Sequence, residues 1–283
     1  MLGLSNSLIG GSPPEIFSPT DLNKLVAWWD FTDTNTMYSD AGVTKITHGD
    51  DIYRIDNKAY TILGGTGPLG AFLQQSTSTY RPNWHSTSKA IFSTNDFLKG
   101  TTSVGNIAAN QFSSSTVNGV AMTVFYVVGS LGSATGDEYL LNISGANPSD
   151  RMSIYLDNDS SNDRWQWHHQ DNGDRTNTLM NCGVNATDDV ELYTVHLDST
   201  SASSFYRNGD TSDGVTNGSA DDHTIDLSVD DSDVGVMVGV GTGSNNTSYL
   251  NGHVREILVY KRALTANELS KVENFLLSKH GIS

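Results

Sequence analysis

Cysteine occurs once in this 283-residue sequence, as Cys182. An internal disulfide is therefore excluded, as is a C-x-x-C zinc pattern. No basic residue stands beside it to activate a thiolate, so Cys182 reads as a small inert group. Positive charge is also scarce, with 16 Lys and Arg against 32 Asp and Glu, for a formal net charge of −16. No lysine lies between Lys99 and Lys261, while acids gather between Asp150 and Asp233. Such a surface repels phosphate backbones and argues against nucleic-acid binding, and salt screening would ease its self-repulsion. No apolar run is long enough to span a bilayer. The start, MLGLSNSLIGGSPPEIF, lacks a basic n-region, the first cation being Lys24. It reads as a poor signal peptide, so the protein is expected to stay off any secretion route that uses one.

Catalytic signatures are missing too. There is no Gly-x-Ser-x-Gly, no His-Glu-x-x-His and no P-loop. Gly65–Gly70 matches Gly-x-Gly-x-x-Gly by letters, but it contains Pro68 and has no strand–helix frame, so it reads as a turn-rich loop.

What is present is turn and strand chemistry. The chain is rich in Gly, Ser, Thr, Asn and Asp, and its β candidates are short: LVAWWDF, AMTVFYVVG, EYLLNIS, RMSIYLD, DRWQWHH, VELYTVHLD, SSFYRNGD and VGVMVGVG. Many short strands at regular spacing indicate an all-β sandwich or barrel. MTVFYVV is apolar almost throughout, as a strand buried on both faces should be. KAIFSTNDFLKG reads as strand, turn, strand, and Asn208-Gly209 as a hairpin turn pair. Residues 56–90 read as irregular and Gly-rich. With no later composition break, residues 1–18 are expected to form an arm and residues 19–283 one domain.

Helical signals cluster at the two ends of that domain. Ser18, Pro19 and Asp21 have the spacing of a short capped turn. Near the C terminus, HVREILVYKR reads as a strand and LTANELSKVENFLLSKHG as a helix. Thr265 and Glu268 have capping-box spacing, and Leu264 and Leu269 stand at the staple positions. Leu269, Val272, Phe275 and Leu276 give one apolar stripe. Lys279 and His280 suit the negative end of the dipole, and Gly281 suits the stop. A helix with one greasy face must lie on something, and the sheet built by the preceding strand is the nearest surface.

LVAWWDFTDTNTM, AIFSTNDFLKG, AMTVFYVVG and above all NGHVREILVYKRALTANELSKVENFLLSKHGI resemble the concanavalin A-like lectin/glucanase superfamily, in its laminin-G/pentraxin-like branch, over roughly residues 20–283. The resemblance implies a two-sheet antiparallel jelly-roll sandwich with a C-terminal helix. Domains with this opening and ending resemble those on structural proteins of tailed bacteriophages, as does the leader. That implies a non-enzymatic virion protein on the particle exterior, as capsid decoration or tail fibre, working with other virion subunits and forming a homo-oligomer there. The arm, through Met1, Leu2, Leu4, Leu8, Ile9, Ile16 and Phe17, has too little buriable surface to order itself and is expected to dock on a neighbouring subunit. The alternative is a lectin-like module that reads bacterial surface glycans, with or without Ca²⁺. The glucanase Glu-x-Asp-x-x-Glu strand is absent, which argues against glycosidase activity.

Two sets of residues stay open between a binding role and a bland one. Trp165, Trp167 and His169 alternate, so a strand places them on one face, either stacking on a sugar or filling the core. Asp157, Asp159 and Asp163 resemble a calcium cluster in spacing but lack the Gly and distal Glu of an EF-hand loop; they are either Ca²⁺ ligands or solvated loop acids.

Overall fold

The computed structural model describes residues 17–62, 64–65, 69–87, 89–101, 121–130, 136–144, 151–157, 164–170, 180–183, 189–198, 204–210, 214–216, 235–241 and 248–283. Within them the chain forms two antiparallel sheets. The seven-stranded sheet contains β1 (Leu25–Asp30), β5 (Asn83–His85), β6 (Lys89–Phe92), β8 (Met122–Gly129), β13 (Glu191–Leu197), β14 (Ser204–Arg207) and β17 (Gly252–Tyr260). Its order is β14-β13-β8-β17-β6-β5, and β1 also pairs with β17. The ten-stranded sheet contains β2 (Met37–Tyr38), β3 (Arg54–Asp56), β4 (Phe72–Gln74), β7 (Leu98–Thr101), β9 (Glu138–Ser144), β10 (Arg151–Asp157), β11 (Arg164–Gln170), β12 (Met180–Gly183), β15 (Gly214–Thr216) and β16 (Gly235–Val238). Its order is β15-β12-β11-β10-β9-β16-β7-β4-β3-β2.

The main core lies between the sheets. Alternation along each strand decides which side chains enter it: Val26, Val124, Tyr126, Val128, Ile257 and Val259 from one sheet, and Leu141, Ile143, Met152, Ile154, Trp165 and Val236 from the other. The opposite face of β8 and β17 is apolar as well, with Phe125, Val127, Leu258 and Tyr260, because the C-terminal helix covers it. This double coverage is why AMTVFYVVG shows no polar alternation.

That helix, α2 (Ala266–His280), starts and stops where the sequence indicates. The Thr265 side chain accepts from the Glu268 N–H, the Glu268 carboxylate accepts from the Thr265 N–H, and Gly281 closes the helix in the left-handed region at φ 65°. Leu269, Val272 and Leu276 bury their stripe against the seven-stranded sheet, each contributing about 1.5–3 kcal/mol. The Pro19–Asp21 turn also forms, with Ser18 and Asp21 making its capping box.

Three stretches differ from the sequence reading. Residues 56–90 are not irregular: they hold α1 (Lys58–Ile62), β4, β5 and the start of β6. Strands of three residues show too few alternations to be read. KAIFSTNDFLKG does form strand, turn and strand, but β6 and β7 belong to opposite sheets, so the turn is a corner. Asn208 and Gly209 adopt φ of 51° and 77°, as a tight primed turn requires. The turn is closed by an isolated Arg207–Asp210 bridge, and the next strand, β15, joins the other sheet.

Strand β1 has β17 on one side only, and the other edge is handled by Asn57. The buried Asn57 carboxamide accepts from the Trp28 N–H at 2.9 Å and donates to the Val26 carbonyl at 3.1 Å. One side chain thus satisfies the backbone groups an edge strand leaves open.

Candidate functional site

Two of the four sheet faces form the core, and α2 covers a third. The fourth, the outer face of the ten-stranded sheet, has no described helix on it and carries outward polar and aromatic side chains. Alternation fixes its residues: with Ile143, Met152, Ile154, Trp165 and Trp167 pointing inward, Asn142, Ser144, Arg151, Ser153, Tyr155, Asp157, Gln166 and His168 point outward. The cross-strand register places Ser153 between Asn142 and His168, and Tyr155 between Tyr139 and Gln166.

The middle of this face is polar and buried. Asn142 and Ser144 are fully buried, and Ser153, Gln166 and His168 are 5% exposed or less. The Ser144 and Ser153 hydroxyls have no hydrogen-bond partner among the described residues. A buried hydroxyl without a partner costs about 1–3 kcal/mol; the core indole N–H groups of Trp165 and Trp167 are unpartnered as well, so the groups a ligand could reach are those of the half-buried rim. Around the buried centre lie half-buried Arg151, Tyr155 and Asp157. The Tyr139 and Tyr155 rings stack at 5.1 Å and 22°, and His168 meets Tyr155 edge-on at 6.1 Å. The Tyr155 hydroxyl donates to Gln166 Oε1 at 2.7 Å, and Gln166 Nε2 donates to Asp157. Burial, reinforced by the Asp137 charge, pushes the Tyr155 phenol well above its ordinary value, so it stays a donor. Hydroxyls, a carboxamide, a guanidinium and aromatic rings on one rigid sheet suit a polyhydroxylated ligand. Farther along the same face, Arg54 lies 4.0 Å over the Phe72 ring and forms an ion pair with Asp56 at 2.6 Å, leaving that part self-satisfied.

The residues singled out from sequence fare differently. Trp165 and Trp167 are 0% and 2% exposed and lie in the core between the sheets. Neither ring has a face for a sugar, which corrects the stacking reading: their shared face is the inner one. His169 lies on β11 with its side chain outside the described residues. Asp157 closes β10 and receives the Gln166 amide, while Asp159 and Asp163 fall outside the described residues. Among the described residues no cluster of three His, Cys, Asp or Glu could hold a metal. The Cys182 side chain and the arm from Met1 to Ile16, with Leu2, Leu4, Leu8 and Ile9, are likewise outside. Phe17 is described, and it packs edge-on against Phe275 of its own helix at 6.2 Å. Its ring is held by its own subunit, which corrects its assignment to a neighbour's surface. No described helix is long and apolar enough to cross a membrane.

Sequence reasoning missed a second polar cluster, beneath the C-terminal end of α2. Asp30 and Glu256 are register partners on β1 and β17, both buried on the helix-facing side. Lys279 bridges them, at 2.8 Å from Asp30 and 2.7 Å from Glu256. Lys58 binds Asp30 at 3.0 Å, His280 Nε2 lies 2.7 Å from Glu256, and the Trp28 indole N–H donates to Glu256 at 2.6 Å. Burial favours a neutral Asp30, but the Lys279 and Lys58 charges outweigh it and hold the carboxyl below its usual range. With each carboxylate bonded to cations, this cluster reads as a clamp fixing the helix to the sheet. From sequence, Lys279 and His280 have only a dipole role; the acid inside an apolar strand, Glu256, is the available signal.

No family model matches the chain, and no curated protein matches it. Solved structures to which the chain is similar include the CBM40 domain of Ruminococcus gnavus IT-sialidase bound to α2,6 sialyllactose. It is 13% identical, with 65% of this chain and 97% of that domain covered and a TM-score of 0.45. Trypanosoma rangeli sialidase in complex with the inhibitor DANA is 13% identical, with 88% of this chain and 32% of that one covered and a TM-score of 0.47. A leech intramolecular trans-sialidase is 14% identical, with 58% of this chain covered and a TM-score of 0.42. This chain spans only 24% of the leech enzyme. Likeness at this distance assigns no function.

Proposed function

We propose that this protein is a non-enzymatic adhesive module that binds a glycan on the outer face of its ten-stranded sheet, and that it is displayed on the exterior of a tailed-phage particle. The observation that carries the binding reading is the half-buried rim of that face, where Arg151, Asp157 and the Tyr155 ring and hydroxyl surround a buried polar centre. Sugars present hydroxyls that donate and accept in the plane of the ring and apolar faces that stack, and this face answers both.

A non-catalytic role is supported by the chemistry of the same face. Glycosidases need two carboxyl groups flanking the scissile bond. Of the outward acids described there, Asp56 is ion-paired with Arg54 and Asp157 accepts a hydrogen bond from the Gln166 amide. Placement on a virion rests on the resemblance of the opening strand and closing strand–helix to domains of phage structural proteins. The negative charge fits a site away from the packaged genome.

A bacterial glycan array probed with the wild type and with Tyr155→Ala, each with and without EDTA, tests the binding reading. Binding that survives EDTA and is lost in the variant is expected. Absence of any glycan hit, or a variant that binds unchanged, would contradict it. Binding abolished by EDTA would restore a calcium-dependent lectin. Immunogold labelling of intact particles with an antibody to this chain tests display, and unlabelled particles would remove the virion placement.

A further inference from the structure

On the opposite side of the molecule, strand β17 changes partners along one edge. Residues Glu256–Tyr260 pair with β1, whereas Gly252–Val254 pair with β6. Arg255 falls in the gap between these partners. The register on the other edge, against β8, also shifts between Val254 and Glu256, so a bulge coincides with the gap. Bulges re-aim side chains, and here the side chain is a guanidinium.

Arg255, Thr32 from the segment after β1, Thr87 from the turn before β6, and Lys279 and His280 from the end of α2 line a cavity of about 330 Å³. Its charged lining is cationic. The acids nearby are already engaged: Asp30 by Lys58 and Lys279, and Glu256 by Lys279, His280 and the Trp28 indole. Arg255 makes no side-chain hydrogen bond or ion pair among the described residues, and its Nε is buried without a partner. Burial pushes the guanidinium below its ordinary value, as expected where no carboxylate offsets desolvation. In a chain with twice as many acids as bases, a partly buried arginine left without an acid partner is a costly arrangement. The fork geometry of Arg suits a planar or tetrahedral oxyanion; the Thr32 hydroxyl is spent on Asp30 at 2.6 Å, which leaves the Thr87 hydroxyl, 2.9 Å from His85 Nδ1, as the hydroxyl beside it.

We infer that the gap between β1 and β6 is an oxyanion-binding pocket in which Arg255 receives a carboxylate or sulfate group, with Thr87 as a further donor. Such a group has two sources, a free inorganic anion or the acidic substituent of a sugar. The pocket lies on the helix-covered sheet, so it is independent of the glycan face proposed above.

The test uses the full chain with selectively ¹⁵N-labelled arginine, titrated with sulfate, glucuronate and glucose against chloride at constant ionic strength. The expected result is a saturable shift of the Arg255 Nε–H resonance with sulfate or glucuronate and none with glucose. Arg255→Gln should weaken the binding about tenfold or more, as loss of a charge-assisted bond does. Arg255→Lys, which keeps charge without the fork, should recover only part of it. A shift with glucuronate but not sulfate identifies an acidic sugar as the source, and the converse identifies a free anion. The inference is overturned if neither anion moves the Arg255 resonance, or if a thermal-shift titration of Arg255→Gln shows the same saturable anion stabilisation as wild type. Binding of the array-selected glycan by Arg255→Gln serves as a fold control and should not change.

Discussion

Replacing Lys279 with methionine tests how the helix is held to the sheet. Asp30 and Glu256 stand directly opposite each other on β1 and β17, where like charges repel. Both are nearly fully buried, and Lys279 contacts the two of them within 2.8 Å. Methionine keeps the length and apolar stem but removes the bridging charge. Breaking a buried pair costs about 3–5 kcal/mol; because the lysine side chain is 25% exposed, the expected loss is the lower end, about 3 kcal/mol.

The pH dependence gives a sharper readout. In the wild type Asp30 titrates below its ordinary value of 3.8. Its contribution is therefore present above that value and lost as pH falls through the depressed one. In Lys279→Met burial remains while the strongest opposing charge is gone, so the folded-state pKa of Asp30 rises. A raised carboxylate contributes most at low pH and loses stability as pH increases. Urea unfolding between about pH 4 and pH 7 should then show the deficit of the variant widening with pH. A loss under about 1 kcal/mol, or a deficit that does not change with pH, would refute the clamp. Glu256→Gln combined with Lys279→Met should be less damaging than Lys279→Met alone, since one of the two stranded carboxylates is gone.

Three further outcomes follow from named contacts. Glu273 is buried on the inner side of α2, and burial raises its pKa despite the Thr194 hydroxyl bond; stability is lost as pH climbs through that raised value, so Glu273→Gln should be more stable than wild type at pH 8 in thermal melts and equal to it at pH 4. Thr265→Ala removes the capping hydroxyl from the start of α2 and should cost about 1 kcal/mol by denaturant titration. Trp167→Ala should cost about 3–5 kcal/mol because the ring is in the core, whereas Trp167→Phe should retain fold and glycan binding, a result that a sugar-stacking tryptophan would not give.

The sandwich and its helix were legible because their signals are local and long. The eight-residue, almost wholly apolar β8, and Thr265, Glu268 and Gly281 at fixed offsets around α2, announce themselves without tertiary information. Strands β3, β4 and β5 are three residues each, too short to carry a period, so the sequence read as irregular there. The binding face was harder. Alternation in DRWQWHH placed Trp165, Trp167 and His169 together but could not say which face is inward. The structure turns the tryptophans inward and sends Gln166 and His168 outward, to join Ser153 and Asn142 from the two preceding strands. Asp30 and Glu256, 226 positions apart, meet only through the β1–β17 register. Contacts of that separation leave no mark on either segment alone.

Chemical-shift mapping of the array-selected glycan on uniformly labelled protein tests the proposed function most directly. Perturbations centred on Ser144, Arg151, Ser153, Tyr155 and Gln166, and weakened together in Tyr155→Ala, are the expected result. Perturbations confined to α2 and the seven-stranded sheet, with the outer face of the ten-stranded sheet silent at saturation, would contradict it.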